Sequence, residues 1–315
     1  MNAQQLITEH IDLWTSSIKA KNTQGRGSSK KRELYGVKKL RELILELAVR
    51  GKFVTQDPND EPARVLLDLI AAEKAQLIKD GKHKKTKRLP EISEEQMLLS
   101  LPAGWKYCRL SDAYDVRDGT HDSPRPQPTG FPLVTSKNLS SGMLDLSNVK
   151  FITLEDHQKI QERSSVDVND ILFAMIGSIG NPVLVDTEEK FSIKNVALFK
   201  YYQNQLSNPQ FLRYSLIHAS KILKSEASGA VQSFVSLGVL RSFVVALPPL
   251  SEQHRIVTKV DELMALCDQL EQQTESCLDA HSLLVDTLLA TLTDARNTNE
   301  LSDNWARLAD HFDTL

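Results

Sequence analysis

Cysteine is scarce: three in 315 residues, Cys108, Cys267 and Cys277, with no C-x-x-C pair among them. The odd count and wide spacing argue against a disulfide framework and a zinc site, and fit a reducing cytoplasm. No apolar run approaches the roughly 18 residues that span a bilayer. The opening MNAQQLITEHIDLW lacks a basic segment followed by an apolar one, so it does not read as a secretory signal. No Gly-rich loop ends in Gly-Lys-Ser/Thr, which excludes a P-loop nucleotide site. From Ser251 to Leu315 there is neither Gly nor Pro, which leaves a helical pattern uninterrupted.

What is present describes a soluble globular chain, 41% hydrophobic and 25% charged, long enough for two domains. The net charge of −3 conceals a gradient along the chain. Residues 1–101 hold 19 basic against 14 acidic side chains, residues 102–250 hold 15 against 14, and residues 251–315 hold 4 against 13. The acidic C-terminal segment is unsuited to tracking phosphates and predicts a protein partner.

The hydrophobic pattern divides the chain into four parts. Residues 1–100 are helical. Ile7, Ile11, Trp14 and Ile18 form one stripe, Val37, Leu40, Ile44 and Leu47 a second with Gly51 as its C-cap, and a third helix runs from Ala63 to Lys79. Two basic linkers punctuate this part, KNTQGRGSSKKR (Lys21 to Arg32) after the first stripe and GKHKKTKR (Gly81 to Arg88) after the third helix. Residues 101–250 change texture, with recurrent Gly and Pro and short apolar runs. ILFAMIGSIG, PVLVD, VALFKYY and FVVAL read as strands and Pro209 to Leu223 as a helix, which makes this part a mixed α/β domain. Residues 251–296 form one long helix with Ser251 as its N-cap. Ile256, Val260, Leu263, Cys267, Leu270, Thr274, Cys277, His281, Leu284 and Leu288 step by four and three. Val257, Met264, Leu278, Val285 and Leu292 repeat in sevens beside them, with Glu271 the one polar member. That heptad pattern predicts a rod of about 63 Å packed against another helix of this chain or of a second one. Residues 297–315 form a polar tail.

No catalytic constellation emerges. GSIGNPV (Gly177 to Val183) approaches an adenine-methyltransferase Asn-Pro-Pro-aromatic motif, but Val183 and Leu184 stand where its second proline and aromatic belong, so it reads as a tight turn. Asp170 with Glu188 and Lys190 loosely suggests a magnesium-dependent nuclease, at a spacing that chance often supplies. What remains is polar loops. RDGTHDSPRPQPTGFPLVTSKN gathers Arg117, Thr120, His121, Ser123, Arg125, Gln127, Ser136, Lys137 and Asn138 on a Pro-stiffened segment. Lys194 and Asn195 form a second candidate, and ASGAVQSFVS, with Gln232 and Ser233, a third. Arg and Lys suit guanine edges and Asn and Gln suit adenine edges, although loops of this composition also serve as plain connectors.

The punctuation of the chain resembles the specificity subunits of Type I restriction–modification systems. LPAGW opening the domain, RDGTH near its start, LPPLSEQHRIV closing it into the helix, and LRELILELAVRGKFVTQDPNDEPARVLLDLIAAEKAQL before it together carry the resemblance over nearly the whole chain. It implies a non-catalytic subunit whose target-recognition domain reads one half of a split double-stranded DNA sequence. Long helices space such domains and dock modification (methyltransferase) subunits, with a restriction subunit joining indirectly. S-adenosylmethionine, ATP and magnesium belong to those partners, and none is expected on this chain. The resemblance carries Gly119, Thr120 and His121 over as a DNA-proximal loop and Ser228, Gly229 and Gln232 as a second, where Ala230-Val231 departs from the expected polar step. Gln253, His254 and Arg255 carry over as structural or docking residues, and Ile256, Val260, Leu263, Cys267, Leu270, Cys277, Leu284 and Leu288 form the packing stripe. Family members usually hold two recognition domains and two long helices. With one of each, this chain is expected to be a shortened form or a half-length subunit that forms a homodimer or pairs with a second recognition half. The alternatives are a scaffold or anti-restriction mimic that binds methyltransferase subunits without reading DNA, and the nuclease.

Overall fold

The structure is a computed structural model that describes residues 9–20, 32–85, 89–97, 100–227 and 234–310. They form two compact units, Met1–Glu42 with Glu262–Leu315, and Leu43–Asp261.

In the first unit, helix Ile11–Ser16 is followed by a two-residue antiparallel pair, β1 (Lys19–Ala20) with β2 (Arg32–Glu33). The predicted first stripe is therefore cut short: Ile18 lies beyond the helix and is exposed, and Ile7 is outside the described residues. Helix Tyr35–Val49 matches the second stripe, with Val37 and Leu40 fully buried. Gly36 sits so close to Trp14 that a Cβ would stand 1.9 Å from the Trp14 carbonyl oxygen. Helix Leu250–Thr293 contributes Leu263, Cys267 and Leu270 to this unit's interior, and Arg41 pairs with its Asp268 at 2.6 Å and Glu271 at 2.9 Å. Helix Thr298–Asp310 comes next.

The second unit is mixed α/β. Helix Ala63–Lys79 has the predicted bounds, and Gly51 takes the left-handed conformation (φ 66°) that ends the preceding helix, Lys52 N–H donating to the Leu47 carbonyl. Strand β3 (Lys106–Arg109) pairs antiparallel with β11 (Val244–Leu247), which brings together the two ends of the predicted domain. The indole N–H of Trp105 reinforces that closure by donating to the buried Glu252 carboxylate at 2.9 Å. Helix Leu250–Thr293 begins one residue earlier than expected. The Pro249 carbonyl accepts from Gln253 N–H, so Ser251 lies inside the first turn and is not the cap.

Between these ends lies an antiparallel sheet in the order β4 (Asp115–Asp118), β10 (Val196–Lys200), β7 (Ile171–Ala174), β8 (Gly180–Leu184). A smaller sheet has the order β6 (Lys150–Ile152), β5 (Phe131–Val134), β9 (Ser192–Ile193). Every residue of β7 is buried, as the uninterrupted apolar run requires of a strand covered on both faces. One core cluster includes Val134, Leu139, Leu172, Val183, Ile193 and Leu198, and so joins the two sheets. Helix Pro209–Ala227 packs close to β8, where a Cβ at Gly180 would stand 2.6 Å from the Ser220 hydroxyl. Gly177 (φ 71°) and Gly180 (φ 97°) form the turn predicted between β7 and β8. Helix Leu154–Ser164 was not foreseen. Thr153 caps it, its hydroxyl accepting from Asp156 N–H at 3.1 Å and donating to the Asp156 carboxylate at 2.9 Å.

Candidate nucleic-acid interface

Two of the three predicted loops are stitched into one surface. Gly119 N–H donates to Val196 carbonyl at 2.9 Å, Thr120 N–H to Ile193 carbonyl at 3.0 Å and Asn195 N–H to Thr120 carbonyl at 3.1 Å. Only glycine permits this approach, since a Cβ at Gly119 would lie 2.2 Å from the Ile193 carbonyl oxygen. Asn195 completes the junction in a left-handed conformation (φ 53°). The His121 ring spans the seam, Nδ1 lying 2.9 Å from Asn195 Oδ1 and Nε2 2.9 Å from the buried Asp118 carboxylate. Lys194 reaches across to the Ser123 hydroxyl.

These loops open onto a cleft of about 890 Å³. Ser123, Arg125, Ser136, Lys137, Asn138, Lys194 and Asn195, predicted from separate stretches of sequence, all line it. Lys150, at the start of β6, adds a fourth cation that sequence reasoning missed. Against these stands Asp145, whose carboxyl is held below its usual range by the Ser147 hydroxyl and amide. The cleft is therefore cationic, with Arg125, Lys137 and Lys150 exposed.

Not every predicted residue is available there. Asn138 is 5% exposed, and its amide is fully engaged within its own loop. Oδ1 accepts from Thr135 N–H (2.9 Å) and hydroxyl (3.0 Å), while Nδ2 donates to the Asp145 (3.0 Å) and Asn148 (3.1 Å) carbonyls. We therefore assign Asn138 to holding the loop, a correction to the base-reading role expected of it. Gln127 is bound through its backbone, donating to the Phe151 carbonyl at 2.9 Å, and does not line the cleft. Arg117 faces a neighbouring cleft and is tied to Asp115 at 2.6 Å. Burial alone would raise the Asp115 carboxyl, yet the hydrogen bonds and charges of Arg117 and His83 hold it below the usual range. Ser228, Gly229, Gln232 and Ser233 lie outside the described residues.

Of the residues of the nuclease alternative, Asp170 is engaged within the fold. Asp170 is buried and accepts from Lys200 at 2.5 Å and from Asp167 N–H at 2.7 Å. Among the described residues no group of three or more His, Cys, Asp or Glu could hold a metal ion, and no helix is long and apolar enough to cross a membrane.

Along the long helix, Ile256, Val260, Leu263, Cys267 and Leu270 are buried, whereas Cys277 and Leu284 are exposed and Leu288 is half-buried. Arg255 pairs with Asp60, the Gln253 amide donates to the Pro248 carbonyl at 3.1 Å, and the His254 ring contacts the Asn208 amide at 3.1 Å.

Residues 102–279 match the family described as Type I restriction modification DNA specificity domain. The chain belongs to this family. Over its whole length it is 40% identical to the Type I restriction enzyme EcoAI specificity subunit and 39% identical to the EcoEI specificity subunit, both of Escherichia coli, covering 54% of each. This specificity-domain chain thus spans about half the length of the curated relatives it matches. A crystal structure of the HsdS subunit from Thermoanaerobacter tengcongensis aligns with 84% of this chain and 62% of that one, at 16% identity and a TM-score of 0.43.

Proposed function

We propose that the chain reads one half of a bipartite double-stranded DNA target within a Type I restriction–modification complex, performing no reaction itself. The observation that carries this reading is the cationic cleft, in which two loops from distant sequence positions present Arg125, Lys137 and Lys194 beside Ser and Asn side chains, with Lys150 added from β6, inside the segment that matches the specificity family. Arg125 and Lys137 are suited to guanine edges in the major groove and Lys150 and Lys194 to phosphates. The exposed far part of the long helix, including Leu284, supports docking of modification subunits or of a second recognition half. S-adenosylmethionine, ATP and magnesium would reside on those partners.

The test is a map of adenine methylation in cells co-producing this chain and its modification subunit. Arg125→Ala is expected to relax or change one position of the methylated sequence, a discrimination of about 1–3 kcal/mol, while the complex still assembles. An unchanged sequence and rate would remove Arg125 from the reading set. Absence of any protected DNA site in the assembled complex would leave a scaffold.

A further inference from the structure

We propose that the duplex is gripped beyond the reading cleft, by a second basic surface that takes DNA phosphates without regard to sequence and is built from Lys82, Lys84, Lys159 and Arg163. The inference rests on the DNA-reading proposal and extends the footprint to residues outside the reading loops.

Three hollows of the second unit share walls. Pro124 lines both the reading cleft and a small hollow of about 180 Å³ beside Thr120, and Lys159 and Arg163 line both that hollow and a third cleft of about 540 Å³. The small hollow on this route is lined by Asp122 and Asp156 as well as by Lys159 and Arg163, and the two cations carry on into the third cleft. They stand one turn apart on helix Leu154–Ser164 and both are exposed. The third cleft also holds Lys82 and Lys84.

Of the three acids lining the third cleft, Asp115 and Asp118 are each paired with one of its arginines, and Glu162 is exposed. Asp118 binds both Arg163 and His121, so one buried carboxylate positions a residue of the reading loop and a residue of the second surface. Asp115 binds Arg117 at 2.6 Å and the His83 ring at 3.0 Å. That second contact gives Lys82 and Lys84, the first two cations of the basic stretch GKHKKTKR, a fixed place apart from the reading loops. His83 is tied down by Asp115 and lies edge-on to Tyr202, with ring centroids 5.5 Å apart. The pinned imidazole fixes the chain between the exposed Lys82 and Lys84 and presents both at the cleft. A plain tether needs no such attachment, whereas cations held in place lose less freedom when they meet a phosphate.

Fluorescence anisotropy of the full chain with a 30-base-pair duplex, titrated with salt, reads the number of phosphates neutralised through a slope of about 0.9 per contact. The triple variant Lys82→Ala, Lys84→Ala, Lys159→Ala is expected to flatten that slope by about 2 to 3, equally on target and unrelated duplexes. The double variant Lys137→Ala, Lys150→Ala serves as the reading-cleft control, with circular dichroism establishing that each variant is folded. A triple variant with the parental slope beside a weakened double variant would overturn the second surface and leave the reading cleft standing. If both variants bind like the parent, or the parent binds no duplex, the DNA-reading proposal falls and this one with it.

Discussion

The two halves of the long helix carry one continuous heptad pattern and meet opposite fates. Up to Leu270 the stripe is buried: Leu263 is 3% exposed and Cys267 is 0% exposed. Seven residues later Cys277 is exposed, and Leu284 is 45% exposed. The sequence pattern is the same in both halves, so periodicity announces that a face will be covered and says nothing about what covers it. In the near half this chain supplies the cover, and Arg41 marks the place by pairing with Asp268 and Glu271. Glu271, the one polar residue in the second stripe, is thereby explained as an ion-pair partner on the flank of a helix contact.

Three measurements bear on the contrast between the halves. The largest effect is expected from Leu263→Ala, which empties a site in a covered seam and should cost about 3 kcal/mol in urea denaturation. A cost under about 1 kcal/mol would mean that the near half is not truly packed. Next comes thiol chemistry. Burial pushes the Cys267 thiol up to about 11, so maleimide at pH 8 should modify Cys277 more than about 100-fold faster, with Cys267 gaining only as pH rises toward 11. Equal labelling would erase the difference between the halves. The smallest effect is expected from Leu284→Ala, within about 0.5 kcal/mol for the chain alone. A cost above about 1.5 kcal/mol that grows with protein concentration would show that a second copy covers the far half.

The same distinction governs how much was legible in the sequence. Long periodic elements were: the helices Tyr35–Val49 and Ala63–Lys79 and the apolar strands β7, β10 and β11 appear where their patterns put them, because burial of a stripe or a run is what creates those elements. Short strands such as β4 (DVRD) and β9 (SI) were not, since two to four residues carry no period and their pairing is fixed by neighbours far along the chain. Helix Leu154–Ser164 was missed although Thr153 and Asp156 stand at capping distance, a signal that could have found it. At the candidate site, composition located the loops, and the seam between Gly119–Thr120 and Lys194–Asn195 brought the separate candidates to one cleft. Which side chains stay available there was illegible. Asn138 has the same chemistry whether its amide meets a base or its own backbone, and only the folded loop reveals that Thr135, Asp145 and Asn148 engage it. Lys150 and Asp118 escaped notice because each lies in or beside a strand of unremarkable composition.

The division of labour within the candidate loops has a consequence for anyone testing the DNA-reading proposal. Asn138 and Gly119 act as fasteners, the first by filling every hydrogen-bonding position of its amide and the second by leaving room for the Ile193 carbonyl. Arg125, Lys137 and Lys150 project from the fastened frame without holding it. On the DNA-reading proposal, a library that randomises Arg125 and Lys137 while keeping the two fasteners would vary the letters and spare the page, whereas one that randomises the whole loop would discard most of its members as misfolded chains.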